Sequence, residues 1–495
     1  MQQGATNKIR SFASATSMAT RLPAAVMTVS LVSLLVATLV GVNTGRDLGR
    51  DLTDERLLAM RSSSAGDIEA QMRSLRNTAD ALAASPQAAA AVEQFAAGHA
   101  ELVDTPAEEL ADQVEAVVTA YQEAYVDPLA EAGRDLDLRD ILAESPAAIY
   151  LQNLYAVQLG VLDEPANLVD AGDGSAWSEV HAAVHPVYRD VVDRLELFDL
   201  FLIEPESGVV VYSVNKRPGF ATSLDLGPFS GSELAEVFDR IRDDPGAGAV
   251  TSDIASYDPA LLTPVGSVGS PIMDGDRFVG VLVLMYDSAK LTAITTADGD
   301  WDGGGFPPTG ESFIFGADGT TRTDPRTFLE SPEDHLDASA VAGDLSPRQR
   351  VTIEEAGTTV LTQEADDATV AAGVEGDTKI EKRSTMTGVD AFSTVERLSV
   401  DDVEWYMVSE VEVDAAEGDL DEFVELLVVG AAIFIIGLAF LAVAWAARIV
   451  RPVRAISERL QARGADLGPV EISPRSPVEF RGLAESFESM SLALV

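Results

Sequence analysis

Two stretches that carry no charge at all limit this chain more than anything else in it. Residues 22–42 read LPAAVMTVSLVSLLVATLVGV and residues 426–447 read LLVVGAAIFIIGLAFLAVAWAA, runs of 21 and 22 residues. As a helix rising 1.5 Å per residue, each crosses the roughly 30 Å hydrocarbon layer of a bilayer. The first run is longer than the apolar core of a cleaved signal peptide. Arg46 and Asp47 follow it in place of a small-residue cleavage site, so it reads as an uncleaved span.

The flanks set an orientation. Lys8, Arg10 and Arg21 precede the first run with no acid among them, and Arg448, Arg451, Arg454, Arg459 and Arg463 follow the second. Asp414, Glu417, Asp419, Asp421 and Glu422 lie just before the second run. Basic flanks stay cytoplasmic, so both termini are expected inside and residues 43–425 outside, in a two-span protein of the cell membrane. The two tails carry +3 and +1, which leaves −51 on residues 43–425 of a chain whose total is −47. A chain with 81 acidic and 34 basic residues repels nucleic acid. Its 46% apolar content also separates it from a disordered acidic tail. Only Lys8, Lys216, Lys290, Lys379 and Lys382 are lysines. Crowded carboxylates with lysine avoided suit a halophile, since at molar salt the Debye length is about 3 Å; an ordinary acidic bacterial protein is the alternative. The absence of cysteine excludes disulfides, thiol nucleophiles and Cys-ligated metal.

Between the spans the pattern is α+β. Ile68, Met72, Leu75, Ala79 and Leu82 recur at helical spacing, and Ala-rich segments extend a helical reading over 44–140, continuous with the first span. LFDLFLIEPESGVVVYSV holds two apolar runs around a turn at Pro205–Gly208. The helix SELAEVFDRIRDD follows, then GSVGSPIMDGDRFVGVLVLMYD with a turn at Asp274–Asp276, then GESFIFGADGTTRTDP around Asp318–Gly319. Hairpins interrupted by a helix predict an antiparallel, PAS-like sheet.

The order of LQNLY (151–155), DGSAWSEVHAAVHPVYRDV (173–191), FDLFLIEPESGVVVYSVNK (198–216), SPIMDGDRFVGVLVLMYD (270–287), TGESFIFGADGTTRTDPR (309–326) and VEWYMVSEVEVDAA (403–416) resembles the double Cache family of extracellular sensors. The likeness is to the subset carried by chemotaxis transducers and some receptor cyclases. It implies a long helix, a membrane-distal PAS-like module over 145–295 and a membrane-proximal one over 305–420. The Arg-x-Trp-Tyr element of amino-acid-binding members is missing here, so an amino-acid ligand is not implied.

A ligand site in such a module lies on the sheet face beneath a capping helix. Tyr212, Lys216, Asp253, Tyr257 and Asp287 stand near the relevant strand ends and are the candidate ligand contacts. Core tyrosines and surface charges explain each of them equally well, and Asp287 can instead cap the next helix. His181 and His185 have the i, i+4 spacing of a two-His metal site but lack the Glu of the zinc-protease pattern. Asp298, Asp300 and Asp302 before Gly303 open like a calcium loop, yet position twelve is Thr309 rather than Glu. Solvated linker and local packing are the competing readings, and no metal and no cofactor are assigned. No phosphate loop and no Ser/His/Asp arrangement appears, and no carboxylate pair can be singled out among so many acids. The expectation is a receptor, not an enzyme.

After the second span, Ile449, Val453, Ile456 and Leu460 and then Phe480, Leu483, Phe487, Met490 and Leu494 keep heptad phase on either side of a 462–478 connector. This is similar to the HAMP relay, with Pro452 matching its early proline and Glu479 the acid opening its second helix. Each helix is too short to stand alone, so Ile456 and Phe487 are expected in a homodimeric four-helix bundle over 448–495. The expected function is that of a chemotaxis-transducer-like receptor. It would bind an extracellular small molecule, directly or through a loaded binding protein, and relay the signal through the HAMP-like segment; either the transducer is truncated or it signals through a separate cytoplasmic partner. The input half of a split sensor kinase or cyclase, and a membrane-anchored adhesion or solute-capture protein, are the alternatives.

Overall fold

A computed structural model describes residues 18–131, 136–143, 145–157, 165–261 and 263–445, together with Gly482, Glu485, Ser486 and Ser489. The positions expected to form the HAMP relay, Pro452, Ile456, Glu479 and Phe487, lie outside the described residues. The chain divides into two compact units, one of Met1–Leu52 with Ala416–Val495 and the other of Thr53–Ala415.

The first unit contains the two apolar segments. Helix α1 runs Met18–Ala83, and the last helix of the described region runs Val413–Trp445. Both are long and apolar enough to cross a membrane. Their Leu, Val, Ile and Phe side chains, among them Leu35, Leu39, Ile436 and Phe440, are open to the surroundings.

In the second unit the continuous helix expected over 44–140 is corrected to a series. α1 ends at Ala83, followed by α2 (Pro86–Val103), α3 (Ala107–Tyr121), a π-helical stretch Gln122–Val126 and α4 (Asp127–Glu131). Proline supplies the first breaks. Pro86 and Pro106 lack the N–H that a helix interior needs and are tolerated only at a helix start. Ser85 caps α2 by accepting a hydrogen bond from Ala88 N at 3.2 Å. The buried side of α1 is the stripe legible in the sequence, with Ile68, Met72, Leu75 and Ala79 all in the core.

After α5 (Pro146–Gln152) and α6 (Ala176–Leu195), strands β1 (Asp199–Ile203) and β2 (Val210–Ser213) form the first hairpin. α7 (Glu233–Asp243) intervenes before β3 (Val250–Thr251), β4 (Ala255–Ser256), β5 (Pro264–Asp274) and β6 (Arg277–Asp287). The sheet is antiparallel in the order β2-β1-β6-β5-β3, with β4 also on β5. One face packs on α1, α2 and α6 through Leu200, Leu202, Tyr212 and Leu284. The other carries Phe201, Ile203, Val281 and Val283 against α7 and Tyr121. At Gly269 a Cβ would lie 2.5 Å from Val237, so glycine there lets α7 seat directly on the sheet.

α8 (Ser288–Thr295) leads to β7 (Glu311–Gly316). The expected second arm of the Asp318–Gly319 hairpin is not a strand. It makes two isolated bridges, Thr321 to Phe315 and Thr320 to Glu364, before turning into α9 (Arg326–Glu330), α10 (Pro332–Ala342), α11 (Pro347–Ala356) and α12 (Asp367–Glu375). β8 (Glu381–Ser384), β9 (Asp390–Arg397) and β10 (Trp405–Glu412) complete a second antiparallel sheet in the order β7-β10-β9-β8. β10 passes into α13 (Val413–Trp445) without an intervening loop. A single apolar core joins the sheets along α1, since Trp405 and Met407 belong to the same buried cluster as Leu200 and Tyr212.

Candidate functional site

The five residues expected to contact a ligand do not converge. Alternation along β2 turns Tyr212 toward α2 and α6, where its ring stacks on Phe95 with centroids 5.1 Å apart. Lys216, 1% exposed and in the left-handed region at φ 48°, donates from Nζ to Val214 O at 2.8 Å and lies 5.6 Å from the Tyr212 ring. Burial pulls this lysine down to about 7. Tyr212 and Lys216 therefore share one face of the first sheet. Asp287 is the N-cap of α8, accepting from Ala289 N at 2.8 Å, so the capping alternative describes it.

Asp253 is held elsewhere. Its carboxylate takes a two-pronged contact from Arg322, Nε to Oδ1 and Nη2 to Oδ2, both at 2.8 Å, and a further hydrogen bond from Trp405 Nε1. Arg322 belongs to the turn after β7 and Trp405 to β10, so Asp253 ties the first sheet to the second. A neighbouring node does the same: Asp402 accepts from Arg76 of α1 at 2.7 Å, from Arg240 of α7 and from Thr251 N at 3.1 Å.

His181 and His185 sit on the same face as Tyr212, with rings stacked 4.3 Å apart. His185 contacts Tyr212 Oη through Nδ1 and donates to Ala166 O through Nε2, both at 2.7 Å, and His181 Nδ1 donates to Val169 O at 2.8 Å. His185 has no nitrogen left for a metal, so these two residues form no chelate in this arrangement. Burial lowers both, His185 to about 3, which keeps the rings neutral. Asp298, Asp300 and Asp302 are exposed in a turn closed by Gly303 N on Asp300 at 3.0 Å. Among the described residues no three acidic or histidine side chains converge to hold a metal.

Tyr257 alone of the five lies on the opposite face of the sheet, and polar groups gather around it. Tyr121 and Tyr125, 5.5 Å apart and edge to face, descend from α3 and the π-helical turn that follows it. A π-helical turn recurs at functional positions because the extra residue re-aims side chains. Phe229 packs on Tyr257 at 5.8 Å. The Arg217 guanidinium lies 4.5 Å over the Phe198 ring, donates to Pro259 O at 3.1 Å and stands close to Tyr125. Gly219 makes the approach possible, as a Cβ there would fall 2.2 Å from Tyr257 Oη. Beneath lies Asp199, wholly buried, accepting from Leu200 N, Val214 N and Asn215 N at 2.7, 2.9 and 3.2 Å and from Ser213 Oγ at 2.7 Å. Burial pushes its carboxyl up, opposed by those hydrogen bonds and by Arg217.

Three polar atoms in this layer are buried and without a partner: Tyr121 Oη, Tyr257 Oη and Arg217 Nε. Buried polar groups are nearly always satisfied, and each orphan costs about 1–3 kcal/mol. Tyr125 lies beside Tyr121 and close to both Arg217 and Tyr257, so the three orphans belong to one layer that has room in its bonding for a polar guest. Sequence reasoning missed Tyr121, Tyr125 and Arg217. The i, i+4 spacing of the two tyrosines in AYQEAY was a usable signal, but Arg217 had none beyond its place after Lys216. A separate cavity of about 790 Å³ opens between α2 and the β1–β2 turn, lined by His99, Glu204 and Leu226; none of the five expected residues reaches it.

No protein-family model matches the chain, and no curated protein does. Among solved structures it is similar to the ligand-binding domain of the Pseudomonas aeruginosa amino-acid chemoreceptor PctC in complex with GABA, at 13% identity. That match covers 47% of this chain and 81% of the other, with a TM-score of 0.28. The ligand-binding domain of the Pseudomonas fluorescens chemoreceptor CtaA in complex with L-isoleucine matches at 10% identity over 61% and 95%, with a TM-score of 0.29. The periplasmic sensory domain of the Campylobacter jejuni chemoreceptor Tlp1 matches at 10% identity over 62% and 93%, with a TM-score of 0.31. Likenesses this distant leave the argument to the residues above.

Proposed function

We propose that the chain is a two-span membrane receptor whose external unit binds a small organic molecule between Tyr121, Tyr125, Arg217 and Tyr257. The observation that carries this reading is that three buried polar atoms without a partner belong to residues of one side-chain layer on this face of the first sheet. Arg217 Nε and the two tyrosine hydroxyls all have a proton to donate, so the group they fit is an acceptor, above all a carboxylate. Of the residues expected from the sequence, Tyr257 is retained as a contact. Tyr212 and Lys216 support the strand from behind, and Asp253 and Asp287 hold the frame.

Transmission follows from connectivity. Ligand binding would reposition the strands around Tyr257, and Asp253, four residues before it, is bonded to Trp405. Trp405 opens β10, which continues directly into α13 and so into the second span. With residues 43–425 outside, a shift of β10 would reach the cytoplasmic heptad segment, where a homodimeric HAMP-like bundle would relay it.

Melting the full chain in detergent against a panel of carboxylic-acid metabolites tests the site. A ligand at 100 times its Kd adds about 2.7 kcal/mol to the folded state. At least one acid should raise the Tm of the wild type and fail to raise that of Arg217→Ala or Tyr257→Phe. No shift with any acid, or equal shifts in the variants, would reject the assignment.

A further inference from the structure

Two acidic side chains in the second sheet are turned against each other. Glu311 on β7 and Glu410 on β10 stand directly opposite in the antiparallel register, 5% and 3% exposed. Side chains paired in this way project from the same face and meet, and the two carboxyls are within hydrogen-bonding reach. Two carboxyls that close, shielded from water, cannot both be ionised.

The groups around the pair relieve only one side of it. From α9, Arg326 stands beside Glu311, and Thr327 N approaches Glu311 Oε2 at 3.4 Å. That guanidinium is also engaged with Glu330 at 2.8 Å and with Pro307 O and Gly310 O. Around Glu410 the acids prevail. Arg383 of β8 pairs with Glu381 at 3.3 Å and donates to Ser393 O at 3.0 Å. Asp366, the N-cap of α12, adds a like charge, and Glu412 follows on β10. Ser393 stands opposite Glu410 on β9, yet its buried hydroxyl and Glu410 Oε1 both lack a partner. Burial and then Glu311 hold Glu410 well above the usual carboxylate range, whereas Arg326 opposes the rise at Glu311. The proton therefore belongs on Glu410 and the charge on Glu311.

We infer that Glu311 and Glu410 share one proton, donated by the Glu410 carboxyl to the Glu311 carboxylate, and that this pair makes the second sheet responsive to pH. Its position gives the proton leverage. Glu410 lies near the end of β10, and α13 begins at Val413 with no loop between. Loss of the proton sets two negative charges against each other across β7 and β10, next to the point where the sheet runs on into that helix. A cavity of about 100 Å³ beside the pair, walled by Pro308, Ala391 and the Arg326 side chain, has room for a water to exchange the proton. Such a pair titrates as a unit, in two steps that belong to both residues.

A carboxyl that holds its proton more tightly in the folded chain than in the unfolded one stabilises the fold at low pH. That contribution is whole below about 4.3, the value of an unfolded glutamate, and is lost as pH rises through the pair's own value. Glu410→Gln and Glu311→Gln each keep the shape and an amide N–H to donate to the carboxylate that remains, with no proton to lose. The three full-length proteins are melted in detergent with EDTA across a pH series. The wild-type Tm should fall by several degrees relative to either variant between about pH 5 and about pH 9, while contributions common to all three cancel. Infrared difference spectra at neutral pH should show a protonated-carboxyl C=O band in the wild type that both variants lack and that fades as pH rises. Parallel Tm profiles, or a wild type without that band, overturn the shared proton. If one variant fails to fold, the other and the band still decide. The pair uses none of the residues of the Arg217 layer, so either reading can fail without the other.

Discussion

Lys216 is the residue whose chemistry departs furthest from what its neighbours in sequence suggest. Its place at the end of the VVYSV strand was legible, but whether its side chain turned outward or inward depended on α6, which packs over it with His181 and His185. The same limit applies to Tyr212 and Tyr257: period-two alternation assigns residues to faces, not faces to ligand or core. Burial without a carboxylate partner lowers Lys216 to about 7, whereas an unfolded lysine titrates near about 10.4. Between those values the folded chain binds fewer protons than the unfolded one, so stability rises with pH across that window, by up to about 1.4 kcal/mol per unit. It is lost again as pH falls back through the folded value, and below about 7 the group contributes no further change. Lys216→Met should remove this slope, so the Tm of the wild type should climb relative to the variant between about pH 7 and about pH 10. Parallel pH profiles would mean that the buried ammonium is stabilised by something else.

At the level of elements, what the sequence showed was local and what it hid was pairing. The β1–β2 and β5–β6 hairpins and α7 announced themselves through turn residues and periodicity. The breaks in the N-terminal helix were written in Ser85–Pro86 and Pro106, and an Ala-rich composition obscured them. The Asp253 contacts were out of reach, since Arg322 is 69 residues away and Trp405 is 152, and no local pattern joins such positions. These contacts make a prediction about the joint between the sheets. Arg322 is 4% exposed in its side chain, so Asp253→Ala leaves a buried guanidinium with Asp318 and Thr320 alone and leaves Trp405 Nε1 unpaired. The cost should be about 1–3 kcal/mol, with Asp253→Asn milder because its carbonyl oxygen still accepts from Trp405. Arg322→Lys should not be neutral, as an ammonium cannot reproduce the two-pronged contact. Denaturation that leaves Asp253→Ala within about 0.5 kcal/mol of the wild type, the range of an ordinary surface change, would show that the shared core along α1 holds the sheets together unaided.

For the whole molecule, the apolar runs and the charge balance were the most readable features, because both are sums over many residues and neither depends on pairing. The same charge balance governs how the folded state responds to its medium. With 81 acidic and 34 basic residues, most exposed carboxylates have no cation to pair with, and ion pairs such as Arg194–Asp190 and Arg397–Glu404 are solvent-exposed and contribute little. Self-repulsion of a compact body of one sign disfavours the folded state. At about 0.01 M salt the Debye length is about 30 Å, which spans much of a domain, and at 1 M it is about 3 Å, shorter than the spacing between most surface charges. Tm should therefore keep rising as KCl is increased from about 0.01 M to about 1 M. Potassium, sodium and choline chlorides should act alike, because screening depends on ionic strength and not on the identity of the cation. A Tm that stops rising by about 0.1 M, or that rises with potassium and not with choline, would mean that specific ion binding rather than screening steadies the acidic coat.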